Sequence, residues 1–269
     1  MKKTIAAGIA IMMTLAGTGQ DAMAGEQAKG AQVIAHRGYW DTPLAVQNSR
    51  ASLKNALELK VYGSETDVWL TSDGQLMANH DMTFNGVSIK DATADECRAL
   101  TLANGEQMPS LIDFIEIIKA SDSPTKLIIE IKDHGTDRQN QAAASAAVAA
   151  VKSAGVADKV EYISFAQAAC LQIIADDPEA KVAYLTGGIA PAALKQQGYT
   201  GIDYHMNELR QNPQWVKEAH DLGMTVNVWT ATSRPDINEM TRLGVDFVTT
   251  DAPLTAIEIK ADTDARAAR

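Results

Sequence analysis

GIDYHMNELRQNPQWVKEAHDLGMTVNVWTATSRPDINEMTRLGVDFVTT, residues 201–250, reads as three short strands separated by two helices. The strands are Gly201 to His205, Thr225 to Thr230 and Asp246 to Thr250, each rich in apolar or β-branched residues. Between the first two, Asn212 precedes Pro213, which suits a first helical position. Trp215, Val216, Ala219 and Leu222 then fall on one face, and Gly223 stops the run. Pro235 opens the second helix, where Ile237, Met240 and Leu243 repeat at helical spacing before Gly244. A strand followed by an amphipathic helix and another strand is the unit that builds a parallel sheet.

The same unit recurs upstream. Further strands are expected at Val33 to His36, Gly63 to Leu70, Lys126 to Lys132, Val160 to Phe165 and Lys181 to Leu185, which makes eight in all. Ser110 stands three residues before Asp113 in a capping pattern, with Leu111, Phe114, Ile115 and Ile118 as the buried stripe. The Ala-rich run from Gln141 to Ala154 is a good helix former and is expected as an outer helix. Eight alternations over this length predict an α/β fold closed as a single (β/α)8 TIM barrel. An open doubly wound sheet is the alternative, but no GxGxxG or Walker sequence follows the first strand. One segment breaks the rhythm. Gln75 to Gly105 holds a brief extra strand at Leu76 to Asn79 and a short helix at Asp91 to Leu100, and is expected as a small excursion over the barrel mouth after the second strand.

The first 24 residues have a different logic. Lys2 and Lys3 precede an apolar stretch from Ile5 to Ala16, and Ala22-Met23-Ala24 offers small residues before a cut at Gly25. This predicts a signal peptide over residues 1–24, a barrel domain over 25–269, and export to a periplasmic or extracellular location. The apolar stretch falls short of the roughly 20 residues that span a bilayer, so no stable membrane insertion is expected. Losing Lys2, Lys3 and Asp21 takes the net charge from -10 to -11, which disfavours nucleic acid as a partner. Cys97 and Cys170 are the only thiols and make no disulfide framework.

Barrels place reactive groups at the C-terminal ends of their strands. The first strand ends in Ala35-His36-Arg37-Gly38. The second carries Glu65 and Asp67 two apart, so both carboxylates share one face while Thr66, Val68 and Leu70 take the other. On the third, Leu127, Ile129 and Ile131 face the helices, and Glu130 and Lys132 point the other way. Three inward carboxylates repel one another unless a cation joins them, and an oxygen-rich set suits one divalent metal ion, Ca2+ or Mg2+. His80-Asp81 can return to the same mouth from the excursion. Two histidines beside a cationic centre suit phosphoryl chemistry, one taking a proton from the nucleophile and the other protonating the leaving alkoxide. Arg37 and Lys132 would meet phosphate oxygens.

Val33-Ile34-Ala35-His36-Arg37-Gly38, Glu65-Thr66-Asp67-Val68, Thr71-Ser72-Asp73-Gly74, Asn79-His80-Asp81 and Glu130-Ile131-Lys132 resemble, in order and spacing, the motifs of the glycerophosphodiester phosphodiesterases. Val228-Trp229-Thr230 and Gly244-Val245-Asp246 through Thr250-Asp251-Ala252-Pro253 are similar to that family's closing strands. The resemblance runs from about Ala31 to Pro253. It implies that His36 and His80 are the acid and base pair, that Glu65, Asp67 and Glu130 bind the divalent metal, that Arg37 and Lys132 hold phosphate, and that Trp229 lines the substrate pocket. One departure stands out. The family commonly has Pro-Glu-Asn-Thr after its first strand, whereas this chain reads Val46-Gln47-Asn48-Ser49, with one negative charge fewer near the expected metal.

The reading is therefore metal-dependent hydrolysis of a small phosphodiester, with glycerophosphodiesters as the expected substrates. A relative of the phosphatidylinositol-specific phospholipases C is the alternative within chemistry, and sparse aromatics speak against docking on a bilayer. A non-catalytic binding protein for phosphorylated small molecules is the alternative outside it, and would not need both His36 and His80.

Overall fold

The computed structural model describes residues 29–269, so the leader expected over residues 1–24 lies outside the described residues. Eight parallel strands form a closed barrel: β1 (Gln32–Ala35), β2 (Gly63–Leu70), β6 (Lys126–Ile131), β7 (Val160–Ser164), β8 (Val182–Tyr184), β9 (Gly201–His205), β10 (Thr225–Trp229) and β11 (Phe247–Thr250). They pair in that order, and closure comes from β1 bonding to β11 on one side and β2 on the other. Helices α1 (Arg50–Leu59), α3 (Leu111–Lys119), α4 (Asp137–Ala154), α5 (Gln167–Asp176), α6 (Pro191–Gln196), α8 (Gln214–Asp221), α9 (Arg234–Leu243) and α10 (Pro253–Ala267) surround it. The strand bounds match the sequence reading to within about two residues.

The alternation of side chains explains the layers. On β6, Leu127, Ile129 and Ile131 pack outward into the main core, with Phe114 and Ile118 of α3 and Ala144 and Val148 of α4. Ile128 points inward and joins Ile34, Ile163, Leu185 and Phe247 in a separate cluster that fills the barrel. Buried on both faces, such strands read as near-continuous apolar runs. The Ser110 cap holds as expected: its N–H donates to Asp113 Oδ2 at 2.7 Å and its hydroxyl accepts from the Asp113 N–H. Removing such a cap typically costs about 1 kcal/mol.

Two starts differ by a residue. Met206–Gln211 forms a short helix, α7, after β9, so Asn212 closes that helix and Pro213 becomes the cap of α8. Ser233 caps α9, which places Pro235 second. The excursion is richer than its sequence suggested. β3 (Leu76–Ala78) lies antiparallel to the extended end of β2, a hairpin of β4 (Thr83–Phe84) and β5 (Val87–Ser88) follows, and α2 (Ala94–Arg98) begins on a Thr93 cap. Asn85 and Gly86 turn the hairpin, both with positive φ, as a two-residue hairpin turn of the mirror-image type requires. Trp69, Met77, Ile89, Cys97 and Met108 give the excursion a small core of its own. Cys97 and Cys170 are free and buried. Among the described residues, no helix is long and apolar enough to cross a membrane.

Candidate active site

At the C-terminal mouth, β2 and β6 pair with Asp67 opposite Glu130, and this register brings three strand-borne carboxylates together. Ligand oxygens of Glu65, Asp67 and Glu130 all lie within 4.8 Å of one another, and all three residues are buried. Lys132 reaches back over them, its Nζ 3.1 Å from Asp67 Oδ1 and 2.8 Å from Glu130 Oε1. Asn48 donates through Nδ2 to Asp67 Oδ2 at 2.8 Å, and its Oδ1 accepts from the Asp67 N–H and the Thr66 hydroxyl. Asp67 is thereby fixed on both sides.

Arg37 leaves β1 in a left-handed conformation, φ 56°, followed by Gly38 at φ 78°. A Cβ at Gly38 would lie within 2.7 Å of Ser52 atoms, so only glycine makes this turn against α1. The turn aims the Arg37 N–H at Glu65 Oε2, 2.7 Å away, and sets Arg37 Nε 3.6 Å from Asp67 Oδ2. Its Nη1 donates to Gln47 Oε1 at 2.7 Å. Gln47, expected beside the carboxylates, thus rests on the guanidinium.

The buried charges do not balance. Burial first, then repulsion from Asp67 and Glu130, pushes the Glu65 carboxyl well above its ordinary range. Burial and Asp67 raise Glu130 to about 7. Asp67 is held low: burial pushes it up, but Lys132, Asn48, His80 and Arg37 outweigh that. Among the described residues Glu65 Oε1 and Arg37 Nε have no hydrogen-bond partner, and Glu130 Oε1 meets only the Lys132 ammonium. Buried oxygens without partners are costly. A buried set of three carboxylates with such an oxygen and no soft ligand fits a hard divalent cation.

Two histidines flank the cluster. His36 follows β1, and its Nδ1 lies 2.8 Å from Asp251 Oδ1 at the end of β11; the Trp40 indole N–H donates to the same oxygen at 3.3 Å. Burial pushes Asp251 up, but the His36 and Trp40 contacts prevail and hold its carboxyl low. His80 comes from the excursion, with Nδ1 2.7 Å from Asp81 Oδ1. Burial, then Lys132 and Arg37, lower its imidazole against the pull of Asp67 and Asp81. A cavity of about 810 Å3 opens beside Arg37, Asn48 and His80 and is walled by Trp40, Phe84 and Leu102. Trp229 stands elsewhere on the mouth, edge-on to Phe165 and His205 at 5.4 and 5.0 Å, its indole N–H on the Asp203 carbonyl. The structure therefore gathers His36, Arg37, Glu65, Asp67, His80, Glu130 and Lys132 at the mouth, with Trp229 at the end of β10 beside Phe165 and His205.

Sequence reasoning gave no role to Asp251, though it lies in a motif already singled out, nor to Trp69, whose indole N–H donates to the His80 carbonyl at 3.2 Å. The sequence assigns no partner to Asn48, which lies in the Val46-Gln47-Asn48-Ser49 stretch. His134, four residues beyond Glu130, accepts the Leu70 N–H at 2.8 Å and lies 2.6 Å from the Lys132 carbonyl.

Comparison with known proteins gives a consistent result. The model of the Glycerophosphoryl diester phosphodiesterase family matches residues 36–255. A glycerophosphodiester phosphodiesterase of Caldanaerobacter subterraneus subsp. tengcongensis is 29% identical over 248 residues, 84% of this chain and 96% of that protein. A crystal structure of a glycerophosphodiester phosphodiesterase from Parabacteroides distasonis is 42% identical, covers 88% of this chain and 99% of its own, and superposes with a TM-score of 0.85. An Oleispira antarctica phosphodiesterase, solved with the product sn-glycerol-3-phosphate, shares the fold at TM-score 0.75 and 24% identity over 86% of this chain and 96% of its own.

Proposed function

This chain belongs to the glycerophosphoryl diester phosphodiesterase family, and we propose that it hydrolyses glycerophosphodiesters to glycerol phosphate and an alcohol with the help of one divalent cation. One observation carries the metal-dependent part. Three buried carboxylates converge within 4.8 Å between the cations Arg37 and Lys132, and Glu65 Oε1 has no partner among the described residues. Glu65, Asp67 and Glu130 would hold Ca2+ or Mg2+, which when bound supplies a Lewis acid for a phosphate oxygen.

The chain's own residues do the rest. Arg37 and Lys132 bind the non-bridging oxygens and orient the phosphorus. His80, whose imidazole is biased towards its neutral form, takes the proton from the nucleophile, either water or a neighbouring substrate hydroxyl whose cyclic phosphate water then opens. His36, oriented through Nδ1 by Asp251, gives a proton to the leaving alkoxide. The cavity walled by Trp40, Phe84 and Leu102 receives one arm of the diester, and Trp229 with Phe165 offers an apolar surface to the other. The sequence of the leader supports export, and the intact mass of the exported protein should lack residues 1–24.

Supplying a panel of glycerophosphodiesters and identifying the phosphomonoester tests the reading. Release of glycerol phosphate in step with the alcohol is expected. Release of a phosphorylated alcohol with free glycerol would place cleavage on the other bond and overturn it.

A further inference from the structure

We propose that Trp69 and His134 form a brace behind the site that fixes His80 relative to Lys132, and that both act as positioning residues. The inference rests on the reading above, in which His80 moves a proton and Lys132 holds phosphate.

These two site residues come from different bodies. Lys132 follows β6 in the barrel wall, whereas His80 rides on the excursion, which has its own small core. Something must set one against the other to the fraction of an ångström that proton transfer requires. Trp69 sits one pleat beyond Asp67 on the same face of β2, is 6% exposed, and packs in the excursion core. Its indole N–H is spent on the backbone carbonyl of His80. Its ring lies 5.0 Å from that of His134, tilted by 56°.

His134 is 5% exposed, and its two ring nitrogens meet backbone groups of opposite polarity. An amide N–H can only donate and a carbonyl can only accept. Nε2 must therefore accept from Leu70, at the end of β2, and Nδ1–H must donate to Lys132 O, beyond the end of β6. The neutral Nδ1–H tautomer is imposed by the fold. The His134 N–H donates in turn to Asn140 Oδ1 on α4 at 2.7 Å, so the ring has a fixed base. Lys132, His134, Trp69 and His80 thus form one continuous series, two hydrogen bonds joined by a tilted ring contact, whose two ends are the two site residues. Apolar side chains of similar size would fill the same space. Packing alone does not require an indole N–H on one site residue's carbonyl and an imidazole on the other's.

The two ends of the brace should fail differently. In metal-replete protein, Trp69→Phe keeps an aromatic ring at this position and removes the indole N–H that bonds the His80 carbonyl. The kcat should fall about tenfold, with the Kd for glycerol phosphate within about twofold of wild type. His134→Leu frees the Lys132 backbone and should weaken glycerol phosphate about tenfold by titration calorimetry. His134→Gln, which carries a donor and an acceptor, should restore most of that affinity. Melting temperatures measured alongside separate these effects from general loosening. If both variants only lower the melting temperature, leaving kcat and Kd at wild-type values, or if each changes both constants by the same factor, the brace is wrong. His80→Ala and Lys132→Met serve as references. Should they leave kcat and Kd untouched, the roles of those two residues fall, and the brace falls with them for want of anything to position.

Discussion

Carboxyl groups are buried at two levels of this barrel. At the mouth, Glu65, Asp67 and Glu130 converge on one another under Arg37 and Lys132. Towards the strand starts, Asp203 on β9 is 1% exposed and lines a cavity of about 260 Å3. Burial first, with repulsion from Glu130, pushes its carboxyl from an ordinary 3.8 up to about 8 against the opposing pull of Asn227. The neighbourhood of each group decides how its charge is removed. A buried acid outside the cluster keeps its proton. A cluster held beside two fixed cations cannot all do so, because Lys132 and Asn48 keep Asp67 ionised, and it is left poised for a further cation.

The largest effects should come from the histidines at the mouth. His36→Ala and His80→Ala should each lower kcat by about 10²- to 10⁴-fold, the usual worth of a positioned acid or base. Glycerol phosphate affinity should change far less, and the double variant should lose much less than the product of the single losses. Equal losses in kcat and in product affinity would make the histidines ligand contacts instead.

A second test sets the two levels against each other through pH. Metal binding at the mouth must expel protons from Glu65 and Glu130, so divalent affinity should rise as pH passes through about 7, with proton release visible as buffer-dependent heat. At Asp203 the sign is reversed and the observable is stability. Its folded-state carboxyl binds a proton more tightly than the unfolded one. Its contribution is therefore full below about pH 4, drains away as pH rises, and is lost beyond about pH 8. Asp203→Asn should abolish that slope, worth about 1.4 kcal/mol per pH unit at most, and leave kcat near wild type. Parallel stability curves for the two proteins over this range would show that Asp203 is not protonated by the fold.

The smallest effect concerns Gln47. Because it bonds the Arg37 guanidinium, proposed to hold phosphate, Gln47→Glu should partly neutralise that cation, weakening glycerol phosphate about fivefold or less, with divalent affinity within about twofold. Tighter divalent binding by calorimetry would put position 47 at the metal after all.

Much of this was legible in the sequence, and the exceptions have physical causes. The barrel followed from strands such as Lys126–Ile131, buried on both faces, and from helix signals such as the Ser110 cap. Glu65, Asp67 and Glu130 followed from period-two alternation combined with strand ends. Asp203 did not, because in Gly201–His205 alternation alone does not say which side faces the barrel axis. Asn85-Gly86 did carry a hairpin signal, hidden by strands of only two residues on either side. The roles of Asp251, Trp69 and His134 depend on contacts between residues 11 to 215 positions apart, which no local pattern encodes.

The central claim is that the mouth cluster is completed by a divalent cation without which the chain does not turn over. Its most direct test is the hydrolysis rate of the best glycerophosphodiester after exhaustive chelation and again after adding back Ca2+ or Mg2+. The account predicts near-complete loss of rate, then recovery in wild type at ion concentrations that leave Asp67→Asn inactive. An undiminished rate in the chelated protein would contradict it.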